Sequence, residues 1–225
     1  MKNSLTCLKN LDTVNSIPEI LSLLTKLDTE LTQSKLINLK PFNSSYLIIT
    51  QNMDKMIKDK SFKNNRIVAQ LISNFANAYF DAVKNYHKKR PIPKAWEIAF
   101  KFYEKRKSNY LLYLAIGANA HINNDLAFAL EKTIKNEDFY SDYQKIGQAL
   151  ELSLNEVISS TTPRFIDKQL LGINKSIIKF LLKEWRRASW RNYINLRAEN
   201  IIASKIETAA SKKAYTIFIL SYIVP

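Results

Sequence analysis

The sequence predicts an all-α fold: a single globular domain, residues 1–225, in which about seven or eight helices pack around a central buried helix. Apolar residues recur at spacings of three and four along most of the chain, and no stretch alternates for long enough to predict a strand. Glycine is scarce, which argues against a β-rich fold with many tight turns; the three glycines are Gly117, Gly147 and Gly172. A chain of 225 residues is long enough to bury a full core in one domain.

Two helices are predicted before residue 60. Ser16 and Glu19 have the spacing of a capping box, and Pro18 falls in the first turn, where proline is tolerated. Leucines at helical spacing continue this first helix. A loop around Lys40-Pro41 then leads to a second amphipathic helix.

The third predicted helix runs from about Asn65 to Tyr86 and has two faces. One face is an apolar stripe; the other either lies in solvent or lines a cavity, and it consists of Asn74, Ala78, Asp81 and Asn85. The segment HKKRPIP, residues 87–93, ends this helix because its two prolines forbid continuation. A short amphipathic helix around Trp96 follows.

The last third of the chain is also predicted to be helical. One helix opens at residues 136–138 and ends near residue 162, and a short connector leads to another at about 175–196. A final helix starts at about residue 201 and ends in an apolar tail, which is too short to span a membrane and is expected to pack on the core.

The central helix, about residues 109–130, is the feature around which the fold is expected to form. It is apolar on every side, which is typical of a helix surrounded by protein. Helical spacing places His121 one turn before Asp125 and Asn119 one turn before Asn123, with the two pairs on nearly opposite faces. Buried polar groups need partners, so neighbouring helices or a ligand must supply them.

Four sequence blocks are familiar from a known family. They are FNSSYLIIT (Phe42 to Thr50), NFANAYFDAV (Asn74 to Val83) with IPKAWEIAF (Ile92 to Phe100), LAIGANAHINNDL (Leu114 to Leu126) and WRRASWRNYINL (Trp185 to Leu196). On these blocks, and on the pattern G-x-N-A-H-I-N-x-D-L above all, the chain resembles the mostly bacterial domain-of-unknown-function family numbered five-nine-nine-five. The resemblance implies a helical fold and a focal motif. That family has no assigned activity, so the resemblance implies no catalytic residues.

His121, Asp125 and Asn119 are the candidate catalytic residues. A carboxylate beside an imidazole fixes its tautomer and raises its basicity, which suits general acid–base catalysis, and Asn119 would polarise a carbonyl of the substrate. The alternative is a buried, hydrogen-bonded hub that fixes the helix register. Further candidate binding residues are Asn123, Gly117, Asp81 and Tyr79.

Two of these candidates also have a purely structural interpretation. Gly117 lies one turn before His121, where either another helix crosses closely or a ligand enters. Tyr79 falls on the apolar stripe of the third helix, as a core residue would. No metal site is predicted, because the chain has only two histidines, and His87 lies in a lysine-rich helix end. The sequence indicates no particular cofactor or oligomeric state.

The chain is strongly basic, with 34 Lys and Arg against 20 Asp and Glu, a net charge of +14. Four cations form a column at i+4 spacing near two tryptophans: Lys179, Lys183, Arg187 and Arg191. Such a column either binds phosphates, with tryptophan stacking on bases, or is a solvated face with the tryptophans packed inward. The second interpretation is favoured, because basic residues are scattered along much of the chain.

A cytoplasmic protein is expected from the termini and the cysteine content. Cys7 is the only cysteine, so no intrachain disulfide forms, and the N-terminus lacks the apolar core of a signal peptide. The first functional hypothesis is a small-molecule enzyme or ligand-binding protein with a pocket beside His121 and Asp125. The alternatives are a protein that binds nucleic acid or an anionic surface through the basic column, and a structural interaction protein.

Overall fold

The computed structural model describes residues 5–105, 110–135, 138–161, 168–199 and 203–223, which are helical and contain no strand. The helices are α1 (Ile17–Leu31), α2 (Lys40–Lys58), α3 (Asn65–His87), α4 (Lys94–Lys105), α5 (Tyr110–Ala118), α6 (Leu126–Thr133), α7 (Tyr140–Thr161), α8 (Lys168–Arg197) and α9 (Ala203–Ile223). Short 3₁₀ turns occupy Thr6–Leu8 and Ile37–Leu39, and a π-helical turn, Asn119–Asp125, joins α5 to α6. With α5, the π turn and α6 counted as one continuous helix, the described residues contain eight, and the all-α prediction is confirmed.

Local sequence signals set where several helices begin. The Ser16 hydroxyl accepts a hydrogen bond from the Glu19 N–H, and the Glu19 carboxylate accepts one from the Ser16 N–H, so the predicted capping box is confirmed. Asn64 caps α3 by accepting from the Ile67 N–H at 3.1 Å. Asp142 of α7 accepts from the backbone N–H of Asn64 at 2.8 Å, which fastens α7 to the start of α3.

Two predicted helix starts were wrong. Helix α2 begins at Lys40, directly after the 3₁₀ turn, and not beyond a loop, because a proline in the first turn of a helix has the φ that a helix requires. Helix α8 begins at Lys168, whereas the sequence predicts a start near residue 175. Gly172 lowers the helix propensity of that stretch, and the rest of the long helix overrides this local preference.

The helix that runs from α5 through the π turn to α6, Tyr110 to Thr133, lies at the centre of the fold. Helices α2, α3, α4, α8 and α9 all contact it. One hydrophobic core extends from Leu5 to Ala214 through these contacts. Helix α9 packs on α4, with the ring centroids of Phe218 and Phe102 5.7 Å apart. None of the helices in the described residues is long and apolar enough to cross a membrane.

The π turn, Asn119–Asp125, is the feature of the central helix that the sequence did not predict. Its backbone bonds span five residues, so that the Leu126 N–H donates to the carbonyl of His121, and all seven of its residues are buried. A neighbouring helix bonds to this turn: the Ser189 hydroxyl of α8 donates to the Ile122 carbonyl at 2.5 Å. Single π turns inside α-helices are frequent at functional sites.

Candidate functional site

The carboxylate of Asp125 is the centre of a buried hydrogen-bond network. Its Oδ2 accepts from Trp96 Nε1 and from His121 Nδ1, both at 2.9 Å, and its Oδ1 accepts from Asn124 Nδ2 at 2.8 Å. Asp125 is only 4% exposed. Trp96 Nε1 and Asn124 Nδ2 can only donate hydrogen bonds, so the carboxylate accepts from both and orients the imidazole of His121.

The imidazole of His121 presents a free acceptor nitrogen. Because Nδ1 donates to the Asp125 carboxylate, Nε2 of the neutral ring carries a lone pair. That atom is buried and has no hydrogen-bond partner among the residues that the structure describes. Burial lowers the pKa of His121 from its usual value, and the hydrogen bond and charge of Asp125 oppose this only in part, so the ring is neutral at pH 7.

Aromatic side chains surround this imidazole. The Phe75 ring stacks on it, with centroids 3.5 Å apart and planes at 5°, and the Tyr46 ring meets it edge-on at 4.8 Å. Beside His121 lies a cavity of about 120 Å³ with almost entirely apolar walls. Its walls include Phe42, Ser45, Tyr46, Ile49, Phe75, Leu114, Ile122, Leu154 and Trp185.

Two hydroxyl groups lie on the wall of this cavity, and they differ in their bonding. The Ser45 hydroxyl donates to the carbonyl of Pro41 at 2.7 Å, so its proton is not directed at His121. The Tyr46 hydroxyl is buried and has no partner within the described part of the chain. Burial together with the charge of Asp125 raises the pKa of Tyr46. Two residues on the wall of this apolar cavity, Tyr46 and His121, thus each carry a buried polar atom without a partner among the described residues.

On the opposite face of the π turn, the side chains of Asn119 and Asn123 are hydrogen-bonded to protein groups. Asn119 Oδ1 accepts from Asn123 Nδ2 at 3.0 Å, and Asn119 Nδ2 donates to the carbonyl of Ala210 at 3.0 Å. Asn123 Oδ1 accepts from Lys213 Nζ at 2.7 Å, and burial beside Arg191 lowers the pKa of Lys213. These bonds attach the central helix to α9, as the contacts of residues with a structural role do. Neither Asn119 nor Asn123 lines the His121 cavity.

Gly117 and Tyr79 lie in tightly packed protein. A Cβ at position 117 would be 2.5 Å from the Tyr103 hydroxyl oxygen and 2.7 Å from Cγ of Phe42. Gly117 therefore makes room for neighbouring side chains of α2 and α4 and does not line the cavity. Tyr79 is fully buried, and its hydroxyl donates to Asn43 at 3.2 Å.

Asp81 lies on a second, polar groove of about 470 Å³, on the other side of Asp125. The polar face of α3 lines this groove together with Asn124, whose buried Oδ1 has no partner. The Asp81 carboxylate pairs with Lys84 at 2.7 Å, and its side chain is 54% exposed. The structure therefore does not bring Asp81 to the cavity that contains His121.

The basic column of α8 has the features of a solvated face. Lys183, Arg187 and Arg191 are exposed, and Arg187 pairs with Glu184 at 2.6 Å. Trp185 is buried on the wall of the His121 cavity, so it has no ring face free for a base. Within the described residues, no three His, Cys, Asp or Glu side chains lie close enough together to hold a metal ion.

Acid is expected to destabilise the fold through His121. The pKa of His121 is lowered in the folded state, whereas a histidine in the unfolded chain titrates near 6.5. Between these two pKa values the unfolded state binds more protons than the folded state does. The stabilising contribution of His121 to the unfolding free energy is therefore complete above about pH 6.5, and it decreases as the pH falls towards the pKa of His121 in the folded state. The slope can reach about 1.4 kcal/mol per pH unit.

Urea denaturation between about pH 7.5 and 5 measures this slope. The His121→Phe variant should lose the part of the slope that His121 causes. His87→Gln is the matched control, because His87 is exposed at the end of α3, and it should keep the slope. An identical pH dependence in wild type and His121→Phe would contradict the prediction.

Sequence reasoning missed three residues that shape the site: Tyr46, Phe75 and Trp96. They come from α2, α3 and α4, and the distances that matter, such as that from Trp96 Nε1 to Asp125, join residues far apart in the chain. All three lie in the sequence blocks on which the family resemblance was based, FNSSYLIIT, NFANAYFDAV and IPKAWEIAF. Those blocks were the available signal, since each brings at least one aromatic ring to His121.

Comparison with known proteins gives a family and no activity. Neither the curated proteins nor the solved structures contain a match to this chain. One family model, described as a family of unknown function, matches residues 17–218 and so covers every helix that contributes to the site. The chain belongs to this family, DUF5995.

Proposed function

We propose that the protein is a ligand-binding protein or enzyme that takes a small, largely apolar molecule into the cavity beside His121. In this proposal the bound molecule carries a hydroxyl or a comparable proton donor, and His121 Nε2 accepts its hydrogen bond or its proton. The observation that carries the proposal is the buried Nε2 without a partner, on the wall of an apolar cavity. A buried polar atom left unsatisfied costs about 1–3 kcal/mol, and a ligand that donates to it recovers that free energy.

The size of the cavity supports a ring-shaped ligand. An apolar cavity of about 150 Å³ is known to bind benzene, and the His121 cavity measures about 120 Å³. Its walls carry the rings of Phe42, Tyr46, Phe75 and Trp185. Aromatic walls with a few placed polar groups are typical of small-molecule sites.

The network behind His121 supports a role in proton transfer once a ligand is bound. Asp125 fixes the imidazole in the tautomer that exposes Nε2, and Trp96 and Asn124 hold the carboxylate in place. A neutral, oriented imidazole is suited to act as a general base towards a weak acid. A nucleophilic role for Ser45 is not supported, since its hydroxyl donates to Pro41.

Paired probes, p-cresol and toluene, test the proposal because they differ only by a hydroxyl. Wild-type protein should bind p-cresol roughly five- to 140-fold more tightly than toluene, the range that corresponds to a recovered free energy of about 1–3 kcal/mol. Titration calorimetry or ligand-observed NMR measures both affinities. The His121→Phe variant keeps a ring but lacks the acceptor, so it should bind the two probes alike.

Tyr79→Phe is the matched control for these measurements. It removes a buried hydroxyl that bonds to Asn43 and does not line the cavity, so the preference for p-cresol should persist. The proposal fails if wild-type protein binds neither probe, or if His121→Phe retains the preference.

A further inference from the structure

Arg186 is a partly buried cation held in one position on α8. Its guanidinium lies over the ring of Tyr143 of α7, with Cζ 4.3 Å from the ring centroid. Nη2 of Arg186 donates to the carbonyl of Tyr143, and the Tyr143 hydroxyl donates to the carbonyl of Arg186 at 2.7 Å. These reciprocal contacts fix the guanidinium against α7.

The charge of Arg186 has no counter-ion among the described residues. No carboxylate there lies within ion-pair distance of it, and Glu151 acts on it only from farther away. Burial lowers the pKa of Arg186, although Tyr143 and Glu151 oppose that effect. A cation removed from water without a partner is unfavourable, and a carboxylate that can accept two parallel hydrogen bonds is the natural partner of a guanidinium.

Arg186 lines a second apolar cavity, of about 90 Å³, next to the His121 cavity. The two cavities have five wall residues in common: Tyr46, Ile49, Phe75, Ile122 and Leu150. The Tyr46 side chain therefore lies between them, and its hydroxyl has no hydrogen bond to lose when the ring moves. Two buried polar atoms without a partner among the described residues, His121 Nε2 and the Tyr46 hydroxyl, and a guanidinium without a counter-ion there, that of Arg186, thus belong to residues that line these adjacent cavities.

We propose that the molecule bound at His121 is a small hydroxylated carboxylic acid whose carboxylate pairs with Arg186. This inference rests on the function proposed above. The hydroxyl end lies at His121 Nε2, the apolar body passes the displaced Tyr46 ring, and the carboxylate occupies the second cavity. Judged from the roughly 150 Å³ cavity that holds benzene in a protein interior, the two cavities together hold about eight non-hydrogen atoms, and displacement of the Tyr46 ring makes room for the rest of the acid.

Gly147 provides a way to move the guanidinium without removing its charge. A Cβ at position 147 would lie 1.5 Å from Nη1 of Arg186, so the absence of a side chain on this turn of α7 gives the guanidinium its space. The guanidinium is at the end of its side chain, so it can move aside at the cost of its hydrogen bond to the Tyr143 carbonyl, and alanine favours the helix more than glycine does. Gly147→Ala should therefore fold and displace the guanidinium.

The test compares 3-(4-hydroxyphenyl)propionate with 4-propylphenol, which lacks the carboxylate. Wild-type protein should bind the acid at least about tenfold more tightly, as a charge-assisted pair predicts. Arg186→Gln and Gly147→Ala should both remove this preference. Arg187→Gln is the matched control, because the neighbouring Arg187 is exposed and paired with Glu184, and it should keep the preference.

The outcomes separate this inference from the proposed function. Equal binding of the acid and of 4-propylphenol by wild-type protein overturns the role of Arg186, and so does a preference that survives in both Gly147→Ala and Arg186→Gln. The p-cresol preference over toluene does not involve Arg186 and can stand in that case. If wild-type protein binds none of the four probes, both proposals fail. Should Arg186→Gln not fold, the wild-type comparison and Gly147→Ala still decide.

Discussion

The Asp125→Ala variant is expected to unfold with a free energy about 3–5 kcal/mol lower than that of the wild-type chain. The substitution leaves three buried donors without their acceptor: Trp96 Nε1, His121 Nδ1 and Asn124 Nδ2. It also opens a small void among fully buried rings. For a chain of 225 residues, the loss corresponds to a fall in Tm of about 10 °C, which a calorimetric melt measures.

Asp81→Ala is the matched control for this melt. Its carboxylate lies on the polar groove that Asp125 also borders, but it is half exposed and pairs with Lys84 at the surface. Exposed ion pairs contribute about 0–1 kcal/mol, so the control should melt close to wild type. If Asp125→Ala were as stable as wild type, the carboxylate would not stabilise the fold, and its presence would be explained by function.

Asn119→Ala should lower the unfolding free energy by about 2–4 kcal/mol, the second largest effect. Asn119 is fully buried, and its loss removes the acceptor of Asn123 Nδ2 and the donor to the carbonyl of Ala210. The central helix then loses its attachment to α9. Urea denaturation measures the change, with Asn85→Ala as the control, because the side chain of Asn85 is only partly buried.

The Asn119→Ala variant also tests whether the two faces of the π turn have different roles, structural at Asn119 and ligand-binding at His121. Asn119 does not line the His121 cavity, so folded Asn119→Ala protein should keep the preference for p-cresol over toluene. A lost preference in protein that remains folded would contradict an architectural role for Asn119.

The local pairing within the candidate site could be predicted from the sequence. Residues four apart on a helix face each other, and the structure has both bonds, His121 to Asp125 at 2.9 Å and Asn119 to Asn123 at 3.0 Å. The fold class followed from the same periodicity. Spacing alone did not distinguish the two pairs, because which face borders a cavity depends on the helices that pack there.

The remaining features depend on long-range packing or on backbone register. Trp96 reaches Asp125 across 29 positions of sequence, and no local pattern encodes that contact. For Gly117, the sequence permitted both a ligand and a crossing helix, and the structure places Phe42 and Tyr103 against it. The sequence did not reveal the π turn. In an amphipathic helix, a change of register would shift the apolar stripe to another face, but a helix that is apolar on every side has no such stripe.

The seven residues of the π turn also fix the angular phase of the chain that follows. In an α-helix each residue advances the side chains by about 100°, and in the wider π turn, whose backbone bonds span five residues, each residue advances them by less. The turn therefore contains more residues than an α-helix needs for the same rotation, and Leu130 and Ala127 beyond it are fully buried. The number of residues in this stretch, and not only their identity, thus sets which side of α6 faces each neighbouring helix.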